Sequence, residues 1–273
     1  MLGVFDSGLG GLTVLRRLRE LLPMHDLLYY ADQANLPYGD KTPGELLALT
    51  EQNVRYLNGA SAQAIIMACN TSCATASEFG WPDSSAPILD LIESAAMAVS
   101  EGAYANVGVI ATAATARSGA YALAIGELHP GTHVTEVAAP ALVPLIEAGK
   151  LHGSEPRAAV AAACAKLPPE IEAVVLACTH YPLLEGHFRA VLSPEVTIVD
   201  PALKHAERAV RLVANLGIMS GSGTTICVTS GNLEQFRGNL ESIAGDLHPR
   251  VVAAFEGQGV GAGTEFARES AGG

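Results

Sequence analysis

The chain has 273 residues, 49% of them hydrophobic, which is enough for one large domain or two domains of ordinary size. Its 28 acidic and 16 basic residues give a formal charge of −12, which argues against a surface that binds nucleic acid. The apolar runs are far shorter than the roughly 20 residues that span a membrane, and five cysteines with no signal-peptide pattern favour reduced thiols in the cytoplasm over a disulfide framework.

Strand-like and helix-like stretches alternate along most of the chain. The strand MLGVF leads through the loop DSGLGG into a helical pattern, LTVLRRLRELLP, whose leucines fall on one face. The further strand candidates are DLLYYAD, QAIIMACN, APILDLI, NVGVIAT, HVTEVAAP, EAVVLACTH, VTIVDPA and TICVTSG. The further helix candidates are TPGELLALTEQNVRYLNG, CATASEFG, ESAAMAVSEG, SGAYALAIGELH, SEPRAAVAAACAKL and ALKHAERAVRLVANLG. This alternation predicts an α/β fold with largely parallel sheets.

The loop after the first strand combines an acid, Asp6, with the glycines Gly8, Gly10 and Gly11. The glycines permit a tight turn and the close approach of a ligand to the backbone. A dinucleotide-binding loop would need glycine where Thr13 stands, and a phosphate-binding loop would need a Gly-Lys pair that is absent. The Asp6 carboxylate would repel a phosphate and suits an ammonium group, although a role as a turn or cap residue is equally open.

Two later strand ends share one pattern. The segments IIMACNTSC (65–73) and VVLACTHYP (174–182) each have four apolar residues, then cysteine, then asparagine or threonine, then a polar residue. This likeness suggests two α/β units that are built alike and face each other. Ligands of parallel sheets bind where strands end, so both cysteines are candidates for a site.

The neighbours of the two cysteines suggest reactivity. The residues Asn70, Thr71 and Ser72 after Cys69 favour the start of a helix, a setting that lowers the pKa of a thiol. His180, two residues after Cys178, is able to hold or relay a proton. Each cysteine alone is more simply interpreted as a packing residue, but the matched pair, with an acid and an imidazole, favours a function.

Several other features are weaker. Pro37-Tyr38-Gly39 is compatible with an ordinary turn before a helix capped by Thr42 and Glu45. Thr112 and Thr115 follow a strand, where they would cap the next helix or bind a carboxylate. The remaining cysteines are interpreted as packing residues, and no Cys/His cluster has the spacing of zinc ligands; these cysteines are Cys73, Cys164 and Cys227.

Seven motifs taken together carry a resemblance to a known family. In chain order they are GVFDSGLGGLTVL, LPYG, ACNTSCATA, VGVIATAATARSGAY, PLIE, ACTHYPLL and VDPA, within residues 3–203. The chain resembles the cofactor-independent glutamate racemases of the aspartate/glutamate racemase superfamily. The resemblance implies two pseudo-symmetric α/β domains with parallel sheets and an active site in the cleft between them. The first domain would comprise residues 1–95 and 206–255 and the second residues 96–205, while the tail, 256–273, has little to bury and is expected to be mobile.

The resemblance also implies roles for individual residues. Cys69 and Cys178 match the family's two catalytic cysteines, Asp6 and His180 match the acid and the imidazole that assist them, and Glu147 matches a further acid. The residues expected to bind substrate are Asp6, Ser7, Tyr38, Gly39, Asn70, Thr71, Thr112, Thr115, Thr179 and His180. The departures from the family pattern, at Ala139 and Cys73, touch none of the catalytic matches.

The function that the resemblance implies is the interconversion of L- and D-glutamate without cofactor or metal, which supplies D-glutamate for peptidoglycan. Inverting an α-carbon requires a base on one face and an acid on the other, and two facing thiols meet that need. The expected partners are the small-molecule substrate and a second copy of the chain in a homodimer, with no nucleic acid and no membrane. The alternatives are a racemase for aspartate or another amino acid, and a relative that inhibits DNA gyrase.

Overall fold

The structure of the protein is a computed structural model that describes residues 1–254; the predicted mobile tail, 256–273, lies outside the described residues. Its strands are β1 (Leu2–Asp6), β2 (Leu27–Ala31), β3 (Ile65–Met67), β4 (Ile88–Asp90), β5 (Asn106–Ala111), β6 (His133–Ala138), β7 (Ala173–Ala177), β8 (Thr197–Val199), β9 (Thr225–Thr229) and β10 (Arg250–Ala253). Its α-helices are α1 (Leu12–Leu21), α2 (Pro43–Gly59), α3 (Asn70–Phe79), α4 (Leu91–Gly102), α5 (Ala113–Ser118), α6 (Ala120–Leu128), α7 (Leu142–Glu147), α8 (Ser154–Cys164), α9 (Glu185–Val191), α10 (Pro201–Leu216) and α11 (Leu233–Ala244).

The strands form two parallel sheets. The first has six strands in the order β10-β9-β2-β1-β3-β4, and the second has four in the order β6-β5-β7-β8. The predicted α/β class with parallel sheets is therefore confirmed. In each sheet the chain moves to one side of a central strand and then returns to the other side, which creates a switch point between β1 and β3 and another between β5 and β7.

Three apolar clusters hold the layers together. One face of the six-stranded sheet packs against α1, α10 and α11 through residues such as Leu15 and Phe236. The outer face of the four-stranded sheet packs against α7, α8 and α9. The third cluster contains strand residues of both sheets, such as Met67 and Val109, together with Ala95 on α4. The two sheets are thus joined by one continuous apolar core.

Helices α7, α9 and α11 were not predicted, and the predicted helices differ from the observed ones by up to three residues at several ends. The stretch predicted as one helix from SGAYALAIGELH is preceded by α5, and Gly119, with φ of +66°, separates α5 from α6. Helix α3 begins at Asn70, three residues before the predicted segment. The predicted cap of α2 is confirmed, because the backbone N–H of Glu45 donates to Thr42 and the backbone N–H of Thr42 donates to Glu45 at 2.8 Å.

Candidate active site

The candidate site is a cleft at the carboxyl ends of the strands that flank the two switch points, where α/β sheets bind ligands. Asp6 ends β1, Cys69 follows β3 by two residues, Thr112 follows β5, and Cys178 follows β7. The cleft has about 490 Å³ of empty space, part of it open to solvent. The predicted site residues that line it are Asp6, Ser7, Tyr38, Gly39, Cys69, Asn70, Thr71, Thr112, Cys178, Thr179 and His180.

Hydrogen bonds connect the two sheets across this cleft. The Thr179 hydroxyl donates to the Asp6 carboxylate at 2.9 Å, and both groups are buried. The Oγ1 atoms of Thr71 and Thr112 lie 3.0 Å apart. Residues 173 and 41 positions apart in sequence are therefore held in fixed register around one space.

The glycine-rich loop is in contact with the second sheet. A Cβ atom on Gly8 would lie 2.3 Å from Glu147 Oε1, and one on Gly10 would lie 2.5 Å from both Thr179 Oγ1 and His180 Nδ1. The sequence interpretation assigned the glycines to close approach of a ligand. The structure gives them an additional reason, since they let the side chains of the opposite sheet reach the loop backbone.

Cys69 is buried and lies at the start of α3, as predicted, but Cys69 itself is the N-cap residue, whereas the sequence favoured Asn70, Thr71 or Ser72 for that position. The expectation that the helix start lowers its pKa is wrong for this structure. Burial and the nearby Asp6 carboxylate raise the pKa of the Cys69 thiol to about 12, and hydrogen bonds with Ser72 and Ser7 oppose the rise only in part. In the substrate-free protein Cys69 is thus a protonated thiol.

Cys178 has the opposite electrostatic environment. Its Sγ atom lies 3.6 Å from His180 Nδ1, and His180 Nε2 lies 2.6 Å from Glu147 Oε1. Burial by itself disfavours a charged imidazole, but the interactions with Cys178 and Glu147 raise the pKa of His180 well above its usual value. Burial likewise opposes a charged Glu147, yet hydrogen bonds led by His180 lower its pKa. The result is a charged imidazole held next to a thiol.

Glu147 and Thr115 lie directly behind the lining residues. Besides contacting His180, Glu147 Oε1 accepts the backbone N–H of Leu9 at 2.9 Å. The Thr115 hydroxyl lies 3.0 Å from that of Thr112, and Thr112 caps α5 as one of the two sequence interpretations proposed. Both predicted residues therefore act on the cleft through a neighbour.

One segment of the cleft, at Asn70, has an unpartnered donor suited to a carboxylate, and another, at Tyr38, is fixed at the cleft wall. Asn70 Oδ1 accepts a short hydrogen bond from Tyr121, whereas Asn70 Nδ2 is buried with no protein partner. The Tyr38 hydroxyl donates to Asp32 at 2.6 Å and accepts from Asn53 at 2.9 Å, which fixes the Tyr38–Asp40 turn at the cleft wall. No lysine or arginine lines the cleft within residues 1–254, so hydroxyl and N–H groups remain as the donors.

Some site residues were not found from the sequence. The lining residues in this group are Leu36, Pro37, Asp40, Ala113, Pro140 and Val143. Leu36, Pro37 and Ala113 lie inside motifs that were recognised, while Asp40 and Val143 directly adjoin LPYG and PLIE, so position in or next to a motif was the available signal. Gln33 and Asn239, which contact Glu147, carry no such signal because only the tertiary fold brings them there. In the described part of the chain no cluster of His, Cys, Asp and Glu is arranged to hold a metal ion.

The fold and the site together define a two-sheet α/β protein with paired cysteines in a shared cleft. The pattern of the Asp/Glu/Hydantoin racemase family matches residues 12–253, and the chain belongs to that family. The resemblance found from the motifs is therefore confirmed. Among the described helices, none has both the length and the apolar character needed to cross a membrane.

Individual relatives agree with the family assignment. The chain is 40% identical over 221 residues to a glutamate racemase of Synechococcus sp., which covers 81% of this chain and 82% of the relative. Its fold is similar to that of a glutamate racemase from Bacillus anthracis, with a TM-score of 0.87, 28% identity and coverage of 94% of this chain and 97% of the other. It is also similar to a glutamate racemase from Francisella tularensis in complex with D-glutamate, with a TM-score of 0.83, 29% identity and the same coverage, 94% and 97%.

Proposed function

We propose that this enzyme is a glutamate racemase that interconverts L- and D-glutamate with two cysteine bases, Cys69 and Cys178. The observation that carries the proposal is that both thiols line one cleft, each at a switch point of a different sheet. The similarity to glutamate racemases over most of the chain supports the substrate.

In the proposed mechanism one cysteine, as a thiolate, removes the α-proton, and the other, as a thiol, returns a proton to the opposite face. The roles of Cys69 and Cys178 exchange for the other enantiomer. His180, held by Glu147, stabilises the thiolate of Cys178 as a charged neighbour and hydrogen-bond partner. Asp6 is placed to receive the substrate ammonium group, whose positive charge would offset the carboxylate that raises the pKa of Cys69.

The carbanion formed in the middle of the reaction needs donors that are already in place. We assign this role to the unpartnered Asn70 amide and to the backbone N–H groups of Thr71 and Thr179, with Ser7, Tyr38-Gly39, Thr112 and Thr115 forming the rest of the substrate site. These groups are nearly all buried, and the exclusion of water strengthens their interaction with developing charge.

The substrate is tested by circular dichroism of L-glutamate and, separately, L-aspartate incubated with the protein in deuterium oxide. We expect the circular dichroism signal of L-glutamate to decay while deuterium enters at the α-carbon. This should happen with a chelator present and without added pyridoxal phosphate. A response to aspartate alone would overturn the substrate, and dependence on either additive would overturn the cofactor-free mechanism. No response to either amino acid would overturn racemisation and direct attention to a supercoiling assay with DNA gyrase.

The two-base mechanism is tested by Cys69→Ser and Cys178→Ser. We expect each to lower kcat by at least about 100-fold, because a serine hydroxyl is a far weaker acid than a thiol and general acid–base catalysis contributes at least that much. Cys164→Ser is the matched control, since Cys164 is a buried cysteine on α8 that does not line the cleft. Full activity in either cleft variant would contradict the mechanism.

We further propose that the enzyme works in the cytoplasm, where it supplies D-glutamate for peptidoglycan, and that it forms a homodimer. Each subunit would have two α/β domains, one of residues 1–95 and 206–255 and the other of residues 96–205. The family resemblance supports each of these statements. Rescue of a D-glutamate auxotroph tests the physiological role, and light scattering of the purified protein tests the dimer. If the auxotroph carrying this protein grew only with added D-glutamate, the physiological role would be contradicted. If the protein were a monomer at all concentrations, the homodimer would be contradicted.

A further inference from the structure

A glutamine that the motifs did not identify contacts the acid behind the active site. Gln33 begins the 3₁₀ turn Gln33–Asn35, separated from the end of β2 by one residue, and its Nε2 atom donates to Glu147 Oε2 at 3.1 Å. The other oxygen of Glu147 is already engaged by Leu9 and His180. Both carboxylate oxygens therefore have donors, and Gln33 is the side chain that occupies the second.

The orientation of the Gln33 amide follows from its partner on the next strand. The backbone N–H of Gly231 donates to Thr229 Oγ1 at 3.0 Å, which leaves the single hydroxyl proton of Thr229 to donate to Gln33 Oε1, also at 3.0 Å. Because its oxygen is bound to Thr229, the amide presents its N–H₂ group to Glu147. Thr229 ends β9 and is fully buried, so the anchor is part of the sheet.

The backbone next to Thr229 also confines Gln33. A Cβ atom on Gly231 would lie 2.8 Å from Gln33 Cβ, so the loop after β9 packs closely on the glutamine. The resulting chain of contacts runs from Thr229 through Gln33 and Glu147 to His180, which adjoins Cys178.

We propose that Gln33 is a positioning residue of the racemase site: its amide, oriented by Thr229, keeps the Glu147 carboxylate ionised and aligned on His180. The inference rests on the proposed function, which it deepens by connecting strand β9 of the first sheet to the base Cys178. Gln33 does not touch the cleft, so it acts only through Glu147.

The titratable groups around Glu147 determine what loss of Gln33 would do. His180 contacts it directly, Cys178 lies beyond His180, and Tyr29 on β2 interacts electrostatically with both Glu147 and Asp6. From α11 the neighbour is the neutral amide of Asn239, which donates to the Glu147 carbonyl at 3.4 Å. Removing the amide N–H₂ takes a donor from the carboxylate and raises the pKa of Glu147, and protonated Glu147 no longer holds His180 in its charged form.

The test is the pH dependence of kcat/KM for glutamate in Gln33→Leu and Gln33→Glu, with Gln52→Leu, at an exposed position on α2, as the matched control. Loss of a hydrogen bond to a charged group should move the acid limb of the profile of Gln33→Leu upward by about one pH unit. Gln33→Glu should move it further, since a second carboxylate repels the first. Gln52→Leu should keep the wild-type profile. Unmoved acid limbs in both Gln33 variants would overturn the inference.

A measurement independent of turnover separates this inference from the proposed function. Carboxyl ¹³C NMR of the substrate-free protein should give a higher pKa for Glu147 in Gln33→Leu and, more weakly, in Thr229→Val, which releases the amide without changing Gln33. An unchanged Glu147 pKa in both would overturn the inference even if the wild type racemises glutamate. If the pKa of Glu147 rises in Gln33→Leu while the wild-type protein shows no racemase activity, the contact network is supported and the proposed function is rejected.

Discussion

At the scale of single residues, the two cysteines occupy equivalent positions but different electrostatic environments. Cys69 lies near the Asp6 carboxylate, which together with burial raises the pKa of its thiol, whereas Cys178 lies next to the charged imidazole of His180. The two cysteines therefore have neighbours of opposite charge.

The effect of Asp6 on Cys69 is testable directly. Asp6→Asn should lower the pKa of the Cys69 thiol by about one unit, because it removes a neighbouring negative charge while burial remains. The measurement is the rate of iodoacetamide alkylation of Cys69 against pH, followed by mass spectrometry without substrate. Asp40→Asn, an exposed carboxylate in the same cleft, is the control and should leave the rate profile unchanged. An unchanged profile in Asp6→Asn would show that the carboxylate does not act on the thiol.

At the scale of secondary-structure elements, the loop between β1 and α1 is the element on which the cleft depends most. Its backbone is so close to Glu147, Thr179 and His180 that its glycines have no room for side chains. The same loop gives Asp6 a backbone donor, since the N–H of Gly8 donates to Asp6 Oδ1 at 2.8 Å. The loop therefore sets the distance between the two sheets.

Gly10→Ala should lower kcat/KM by about 100-fold, because a new methyl group 2.5 Å from Thr179 Oγ1 must displace the loop or the residues that we propose to bind substrate. Gly126→Ala is the matched control: no atom lies within 4 Å of the added Cβ, and glycine within α6 is less favourable than alanine. The control should keep full activity and gain about 0.5–1 kcal/mol in the free energy of unfolding. Steady-state kinetics and urea unfolding measure both, and equal activity of the two variants would disprove the steric argument.

At the scale of the whole molecule, the two sheets share an apolar core, and a buried histidine lies where α4 of that core meets α10. His205 on α10 is fully buried, and its Nδ1 atom lies 2.8 Å from the Ser94 hydroxyl on α4. Burial, together with the charge of Arg208, lowers the pKa of His205 to about 3. The native protein therefore keeps this imidazole neutral.

The consequence is a loss of stability in acid. Above pH 6.5 both the folded and the unfolded states hold His205 neutral; below it the unfolded state binds a proton that the folded state does not bind until about pH 3. From pH 7 to pH 5 this difference should lower the free energy of unfolding by about 2 kcal/mol. His205→Gln should lose that component of the pH dependence in urea unfolding, and His133→Gln, at an exposed position on β6, should retain it. Equal slopes for His205→Gln and the wild type would contradict the assignment.

The sequence predicted the fold and most of the lining of the cleft, for reasons that are local. A run such as VVLAC forms a strand because its apolar residues are buried, and the carboxyl ends of parallel strands lie at one edge of a sheet, so the residues after each run were expected to meet. Helix α11 and strand β10 were not predicted, because α11 has only three buried residues and β10 is an edge strand with no fully buried residue.

The sequence by itself determined which chemical groups are present at the strand ends: two cysteines, an acid, an imidazole and the hydroxyls around them. Only the tertiary structure decided their protonation and their partners. The pKa of Cys69 rises because burial outweighs the helix start, and Glu147 reaches both His180 and Gln33 only when the two sheets are packed together. Burial and charge act through space, and the residues responsible lie far apart along the chain.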